Sequence, residues 1–382
     1  MRLFCCMSED PLNRIKTNLE AWEESIRDPT TAQQALLLRL LKGYAKTEYG
    51  SLKNASGINT VEDYRRSFPV VVYADLEPIF RRVRDEHHSV LLDEEPLTWV
   101  MTRGTTGGSK IIPVTRRHLQ DIIKCGSRAV LNFSLRNGGL TLLAGGVLNL
   151  QFPSNMRTIL SGGKEIVYGF SSGTYAKLNP MMMGLSLVPR QEDIDALETG
   201  LTSEGWESRY EYIYQKAREK QIVSIIGVAP VQTGFARYVK KKHGVFPRDL
   251  WKLKVIYSTS VAKIQSHYAP ELRRMYGEVP VIEMYTATEG AFAQQHDNLP
   301  YVSPNYDTYF LEIETGAGIK MLHELKRGEW GRLIISTSML PRYRIGDLVE
   351  GMGKSYFRVF GRDKAEVVAE HVLYRAFFRW FL

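Results

Sequence analysis

The chain has 382 residues, which at roughly 150 residues per domain is enough for two or three domains and for sizeable cores without disulfides or metals. Apolar residues at 44% and charged residues at 24%, with 16 prolines and 31 glycines, exclude both disorder and a small stapled scaffold. Fifty basic against 42 acidic side chains leave +8, but the densest run, Lys240-Lys241-Lys242, is only three residues long and suits a helix C-terminus. No nucleic-acid partner is expected, and phosphorylated or carboxylate substrates fit the modest excess equally well.

Three cysteines, an odd number, argue for a reducing compartment. Cys5 and Cys6 follow Met-Arg-Leu-Phe, too short an apolar stretch for a signal peptide, although lipidation there is chemically open. No apolar run approaches the ~18 residues of a spanning helix, so no transmembrane segment and a cytoplasmic location are expected.

In chain order, Asp10-Pro11 caps a helix whose apolar stripe is Leu12, Ile15, Leu19, Trp22 and Ile26. A second helix covers Thr31 to Lys46 and ends at Glu48-Tyr49-Gly50, and a short one starts at Val61-Glu62-Asp63-Tyr64. From Thr98 short β-branched runs alternate with helical periodicities, as in an α/β sheet. Leu97 to Met101 reads as a strand entering a Gly-rich loop, followed by a helix with the stripe Leu119, Ile122, Ile123, Gly126, Val130 and Phe133. Leu140 to Ala144 reads as a strand, and Gly145 to Pro189 as irregular. A helix through Trp206, Tyr210, Ile213 and Ala217, the strand Ile222 to Val228, helix 230–243, strand 253–257, helix 266–276 and strand 279–284 complete the alternation. Beyond Tyr306 come strands without helices, at Tyr309 to Glu314, Arg332 to Thr337 and Tyr356 to Phe360.

Chemistry concentrates in three places. The loop Thr102-Arg103-Gly104-Thr105-Thr106-Gly107-Gly108-Ser109-Lys110 combines glycines that admit backbone amides to an anion, hydroxyl donors and a terminal lysine. It is not a Walker A loop, because Ser109 precedes Lys110 and Ile111 follows it, and the Rossmann spacing also fails. Tyr285-Thr286-Ala287-Thr288-Glu289-Gly290 follows a strand, where α/β sheets place ligands, and its carboxylate suits Mg²⁺ beside a polyphosphate. Tyr343-Arg344-Ile345-Gly346-Asp347 and Gly361-Arg362-Asp363-Lys364 lie in the β-rich region, with Asp347 suited to the two hydroxyls of a ribose, although Gly-Asp is also a common turn.

In this order the motifs resemble the adenylate-forming enzymes. With Glu48-Tyr49-Gly50, Val61-Glu62-Asp63-Tyr64-Arg65, Phe68-Pro69-Val70-Val71, Lys110-Ile111-Ile112-Pro113-Val114-Thr115, Asp249-Leu250-Trp251, Val279-Pro280-Val281 and Phe360-Gly361-Arg362, the chain resembles the auxin-responsive acyl-acid amido synthetases over residues 15 to 372. The resemblance implies an α/β adenylation fold of mixed sheets flanked by helices with a β-rich subdomain, divided as 1–305, 306–362 and 363–382. It implies that a small carboxylic acid attacks Mg·ATP to give acyl-AMP, and that an amino acid or other amine then displaces AMP, coenzyme A being the less expected acceptor. Thr102, Gly104, Thr105, Thr106, Gly107, Ser109 and Lys110 would hold the phosphates; Tyr285, Thr286 and Ala287 would border the adenine; Thr288 would contact phosphate; Glu289 would hold Mg²⁺; and Asp347 and Arg362 would bind the ribose. Lys110, Thr288 and Glu289 are the catalytic candidates.

The chain departs from that family in two places. Arg103 stands where a small hydroxyl residue is usual, and could grip a phosphate or obstruct the loop. After Arg362 a hinge and a further C-terminal domain are expected, yet twenty residues remain, turning aromatic from Leu373. Read as a helix, Leu373, Phe377 and Phe381 share a face for the core, a protein partner or a membrane surface. Without the second domain, the alternative reading to the ligase is a truncated, half-active or non-catalytic nucleotide- or acyl-binding protein.

Three patterns read as decoys. Gly169-Phe170-Ser171-Ser172-Gly173 matches a serine-hydrolase elbow but precedes no clear helical stripe; His87-His88 diverge; and Met181-Met182-Met183 reads as core filling.

Overall fold

The computed structural model describes residues 11–104, 108–139, 144–179, 181–182, 185–198, 200–353 and 355–379. The first elements are helices α1 Pro11–Arg27, α2 Pro29–Tyr44, α3 Glu48–Leu52, α4 Val61–Ser67 and α5 Tyr73–Asp85. Then come β1 Pro96–Met101, β2 Ile111–Thr115, α6 Arg116–Arg136, β3 Gly146–Asn149, β4 Arg157–Ser161, β5 Lys164–Phe170, α7 Ser171–Leu178, β6 Met181–Met182 and β7 Leu185–Val188. Next are α8 Gln191–Asp195, α9 Ser203–Ala217, β8 Ile222–Val228, α10 Ala229–His243, α11 Pro247–Leu250, β9 Val255–Thr259, α12 Ala269–Tyr276, β10 Val281–Ala287, β11 Gly290–Gln294 and β12 Ser303–Pro304. The last are β13 Phe310–Thr315, β14 Gly318–Met321, β15 Trp330–Ser336, β16 Tyr343–Gly353, β17 Tyr356–Arg362 and α13 Ala365–Arg379.

The strands form three mixed or antiparallel sheets, ordered β2-β1-β5-β4, β12-β11-β10-β9-β8-β3-β7-β6 and β14-β13-β15-β16-β17. In the eight-stranded sheet β7, β3, β8, β9 and β10 run parallel, which accounts for the unbroken apolar run of β8: both faces are covered by helices. The largest group of buried apolar side chains runs continuously from Val71 to Phe357.

The N-terminal helices are tied to the far end of the chain. Trp22, fully buried, donates from Nε1 to the Pro304 carbonyl at 2.9 Å. The Gln33 amide donates to the carbonyls of Tyr306 and Tyr309 and accepts from the Leu311 N–H. Arg342, buried, donates to Glu312 and to the carbonyls of Arg65 and Phe68, so a charged hydrogen-bond network crosses from α4 to the last sheet.

Several expectations need correction. Glu48-Tyr49-Gly50 does not end the second helix but forms α3, capped by the Thr47 hydroxyl, which accepts from the Gly50 N–H. The expected strand Leu140 to Ala144 falls largely outside the described residues, and the neighbouring strand is β3. Gly145 to Pro189 is not irregular: β3, β4, β5, α7 and β7 lie in it. Its glycines signalled turns, yet a Cβ at Gly169 would lie 2.4 Å from a Ser154 backbone atom, and one at Gly173 would lie 1.9 Å from the Phe152 carbonyl. These glycines permit close approach of backbones. Helix 266–276 is split into a π turn, Ile264–Tyr268, and α12. The strand expected at 279–284 continues to Ala287, and β16, eleven residues long, was not anticipated at all because Gly346-Asp347 resembles a turn.

At the C-terminus α13 packs on the last sheet. The His371 ring stacks on Phe360 at 3.9 Å between centroids, and Arg375 donates to Glu350. Leu373 is exposed. Phe377 is in the helix, and Phe381 lies outside the described residues. Among the described residues no helix is long and apolar enough to cross a membrane.

Candidate active site

β1 and β2 pair antiparallel, with Met101 opposite Ile111, so the Gly-rich segment is the loop of a hairpin. Its base is closed by Thr102, whose N–H donates to the Lys110 carbonyl at 2.9 Å and whose hydroxyl accepts from the Lys110 N–H at 3.0 Å. Gly104 takes φ +67°, a backbone conformation glycine adopts without strain. Thr105, Thr106 and Gly107 lie outside the described residues.

Lys110 turns inward: its Nζ donates to the Tyr343 hydroxyl at 2.9 Å and sits over the rings of Tyr73 and Tyr343. Burial pulls its pKa down, opposed by the Glu289 charge. Ser109 is exposed and is not among the residues that line the cavity.

β10 and β11 form a hairpin in which Ala287 pairs with Gly290, so Thr288 and Glu289 are its two-residue turn. A bulge between Tyr285 and Thr286 re-aims the strand just before it. Tyr285, Thr286 and Ala287 therefore stand within the strand instead of after it. The Thr288 carbonyl accepts from the Tyr175 hydroxyl at 2.9 Å, and its hydroxyl pairs with Ser171 Oγ at 3.0 Å. Thr286 Oγ1 pairs with Thr259 Oγ1 at 2.5 Å. Glu289 is buried, and burial raises its pKa against the pull of Lys110.

Asp347 is 6% exposed on β16, opposite Arg362 on β17. Its Oδ2 accepts from the Tyr285 hydroxyl at 2.6 Å and its Oδ1 from Arg362 Nη1 at 2.7 Å. Arg362 Nη2 reaches the Ile345 carbonyl at 3.3 Å, while its Nε is buried with no partner among the described residues.

Thr102, Gly104, Lys110, Tyr285 to Glu289, Asp347 and Arg362 all line one cavity of about 740 Å³. Arg103, left open between gripping a phosphate and obstructing the loop, lines it too, together with residues not foreseen for the site. Arg103 lies with its guanidinium over the Phe152 ring and donates to the Ser260 carbonyl, and burial lowers its pKa. Ile122, Ile123, Gly126 and Val130 make an apolar wall. They were legible as a helix stripe, but periodicity does not distinguish a core face from a cavity wall.

The elbow reading also needs correction. β5 does turn directly into α7 at Ser171, as a hydrolase elbow requires. However, the Ser171 hydroxyl pairs with Thr288, and among the described residues no histidine hydrogen-bonds it. The motif's glycines are explained by the close packing described above.

Residues 18–198 match the GH3 family N-terminal domain. The matched segment, just under half of the chain, is similar to that family's N-terminal domain. A jasmonoyl–L-amino acid synthetase of Nicotiana attenuata is 22% identical over 406 aligned residues, covering 88% of this chain and 69% of that protein. A probable indole-3-acetic acid-amido synthetase of Arabidopsis thaliana is 32% identical over 99 residues, covering 25% of this chain and 17% of its own length. Among solved structures, an acyl acid amido synthetase in complex with 2,4-DB aligns with a TM-score of 0.74 at 17% identity, covering 94% of this chain and 72% of that one. A 2-hydroxyisobutyryl-CoA ligase in complex with 2-HIB-AMP and CoA aligns with a TM-score of 0.63 at 14% identity, covering 89% and 69%. The fold of these two structures is thus shared across most of the chain.

Proposed function

We propose that this chain is an ATP-dependent acyl-acid ligase: it adenylates a small carboxylic acid with an apolar body and passes the acyl group to an amine, an amino acid first among candidates. The carrying observation is that the Gly-rich hairpin, the Thr288-Glu289 turn and the Asp347–Arg362 pair converge in one cavity with an apolar wall. The amido synthetases it resembles support the reaction class.

The residues fit the nucleotide. Asp347 has lone pairs beyond those used by Tyr285 and Arg362, so it suits ribose hydroxyls, and the orphaned Arg362 Nε is a donor in search of an acceptor. Lys110, Arg103 and Arg362 supply positive charge to phosphate, and Thr102 and Thr288 supply hydroxyls. Among the described residues no group of three or more His, Cys, Asp or Glu is built to hold a metal. Mg²⁺ is accordingly proposed to take Glu289 as its protein ligand and most other oxygens from phosphate and water, the usual arrangement for this cation. It supplies charge neutralisation at the phosphates.

With little covalent work for the protein, positioning and charge carry the first step. The deciding experiment is pyrophosphate exchange into ATP across aryl, indolyl and aliphatic acids, followed by product analysis with amino acids or coenzyme A as acceptor. Exchange with at least one acid and an amide product are expected. A folded protein that neither exchanges nor binds ATP would overturn the reading, and a thioester without an amide would replace its second half.

A further inference from the structure

A second cavity, about 690 Å³, lies against the first, bounded by the π turn, β17 and α13. The two share Glu283 and Val359 in their walls. Glu283 is on β10, two residues before Tyr285, so both side chains project from the same face of the strand. It is 8% exposed, yet among the described residues no group hydrogen-bonds or ion-pairs with its carboxylate, while its backbone is bonded to Gln295. A buried carboxylate without a partner is costly unless a ligand or proton satisfies it.

The charges around it select the ligand. Lys263 already faces Glu370 at 3.4 Å and Arg358 shares Glu350 with Arg375, so each cation of this wall has a carboxylate, and among the described residues Glu283 is the lining carboxylate that no cation faces. Tyr301, Phe360 and Tyr374 give the cavity an aromatic lining. We propose that this second cavity seats the acceptor, a primary amine with an apolar or aromatic body, and that Glu283 holds its ammonium at the junction with the nucleotide cavity. The proposal rests on the ligase reading above and adds the acceptor's class, route and base.

The Glu283 carboxylate takes one proton from the ammonium, and the freed lone pair forms the N–C bond at the acyl carbon. The bond from that carbon to the phosphate oxygen breaks, its electron pair leaving with AMP, and the second N–H proton passes to solvent. Burial raises the Glu283 pKa to about 7, near the value that favours proton transfer at neutral pH.

The test uses L-phenylalanine as probe. Calorimetry should find it binding the intact protein at least tenfold more tightly than the Glu283→Gln variant, with Glu283→Asp, which keeps the charge, in between. With an acid that supports exchange, conjugate formation with phenylalanine is compared with trapping of the adenylate by hydroxylamine, a small, largely neutral nucleophile that needs no ammonium site. The conjugate-to-hydroxamate ratio should fall about 100-fold in Glu283→Gln. Equal binding or an equal ratio in the two proteins overturns the proposal, as does absence of phenylalanine binding by the intact protein. Absence of exchange with every acid overturns the ligase reading instead, and the calorimetry still decides whether Glu283 seats an amine.

Discussion

Tyr285→Phe isolates one hydrogen bond of the nucleotide cavity. The ring contacts with Phe292 and Phe357, at 5.4 and 6.0 Å between centroids, are kept, so no void opens. What is lost is a 2.6 Å bond from the phenol to a carboxylate that is 6% exposed. A hydrogen bond to a charged group contributes about 1.5–3 kcal/mol, and because Arg362 still holds the other oxygen, the loss should fall near 2 kcal/mol. For 382 residues unfolding together, at about 2 cal/mol/K per residue, that lowers the melting temperature by about 2–3 °C. Freed on one side, the Asp347 carboxylate must be ordered again when ribose binds, at about 0.5–1.5 kcal/mol, so KM for ATP in pyrophosphate exchange should rise about 3- to 10-fold. Differential scanning calorimetry and exchange kinetics read the two effects separately. A lower melting temperature with unchanged KM would refute Asp347 as the ribose ligand; an unchanged melting temperature would refute the hydrogen bond as a stabilising one.

Glu289→Gln should depress exchange by about 100-fold, measured at saturating acid. Burial raises the Glu289 pKa, so the folded protein holds this proton more tightly than the unfolded chain, and its contribution to stability declines as pH rises above 4.5. The glutamine variant should therefore melt at or above the parent temperature at pH 7, and a marked drop would mean that the carboxylate is structural. Asp307→Asn should cost about 3–5 kcal/mol by denaturant unfolding, because Arg128, with no exposed side chain, loses the partner it grips at 2.6 and 2.8 Å. Burial alone would raise the Asp307 pKa, but bonds to Arg128 and Lys124 hold it well below the usual range. Its stabilisation is present above the ordinary carboxylate pKa of 3.8 and fades as acid protonates it, so parent and variant should converge at low pH.

Much of the candidate site was legible because each of its motifs carries chemistry in a few consecutive residues. Lys110, Glu289 and Asp347 could be named without knowing what lay between them. The missing parts depend on contacts between distant segments. Tyr343 touches Lys110 across 233 positions, and Thr288 meets Tyr175 across 113, with no local signal in either case. Glu283 was invisible for a different reason: one acidic residue in a strand looks solvated until its neighbours are known to be cavity walls. In the fold, β8 and α6 were plain from pattern alone, whereas Gly145 to Pro189 misled because glycines at close backbone contacts look, in one dimension, like glycines at turns.

The order of strands in the large sheet bears on how this protein can be divided. The segment matched by the family model ends at residue 198, while β3, which lies before it, is flanked by β7 on one side and by β8, which follows 198, on the other. A fragment cut at that boundary would leave β3 with a bare hydrogen-bonding edge and bury nothing against the parallel strands that complete its faces. Such an edge invites pairing with another copy, so the fragment should aggregate instead of folding. During synthesis, likewise, the N-terminal half must wait: the groups that Trp22, Gln33 and Arg65 bind all emerge after residue 300, which makes this a fold of distant contacts and slow completion.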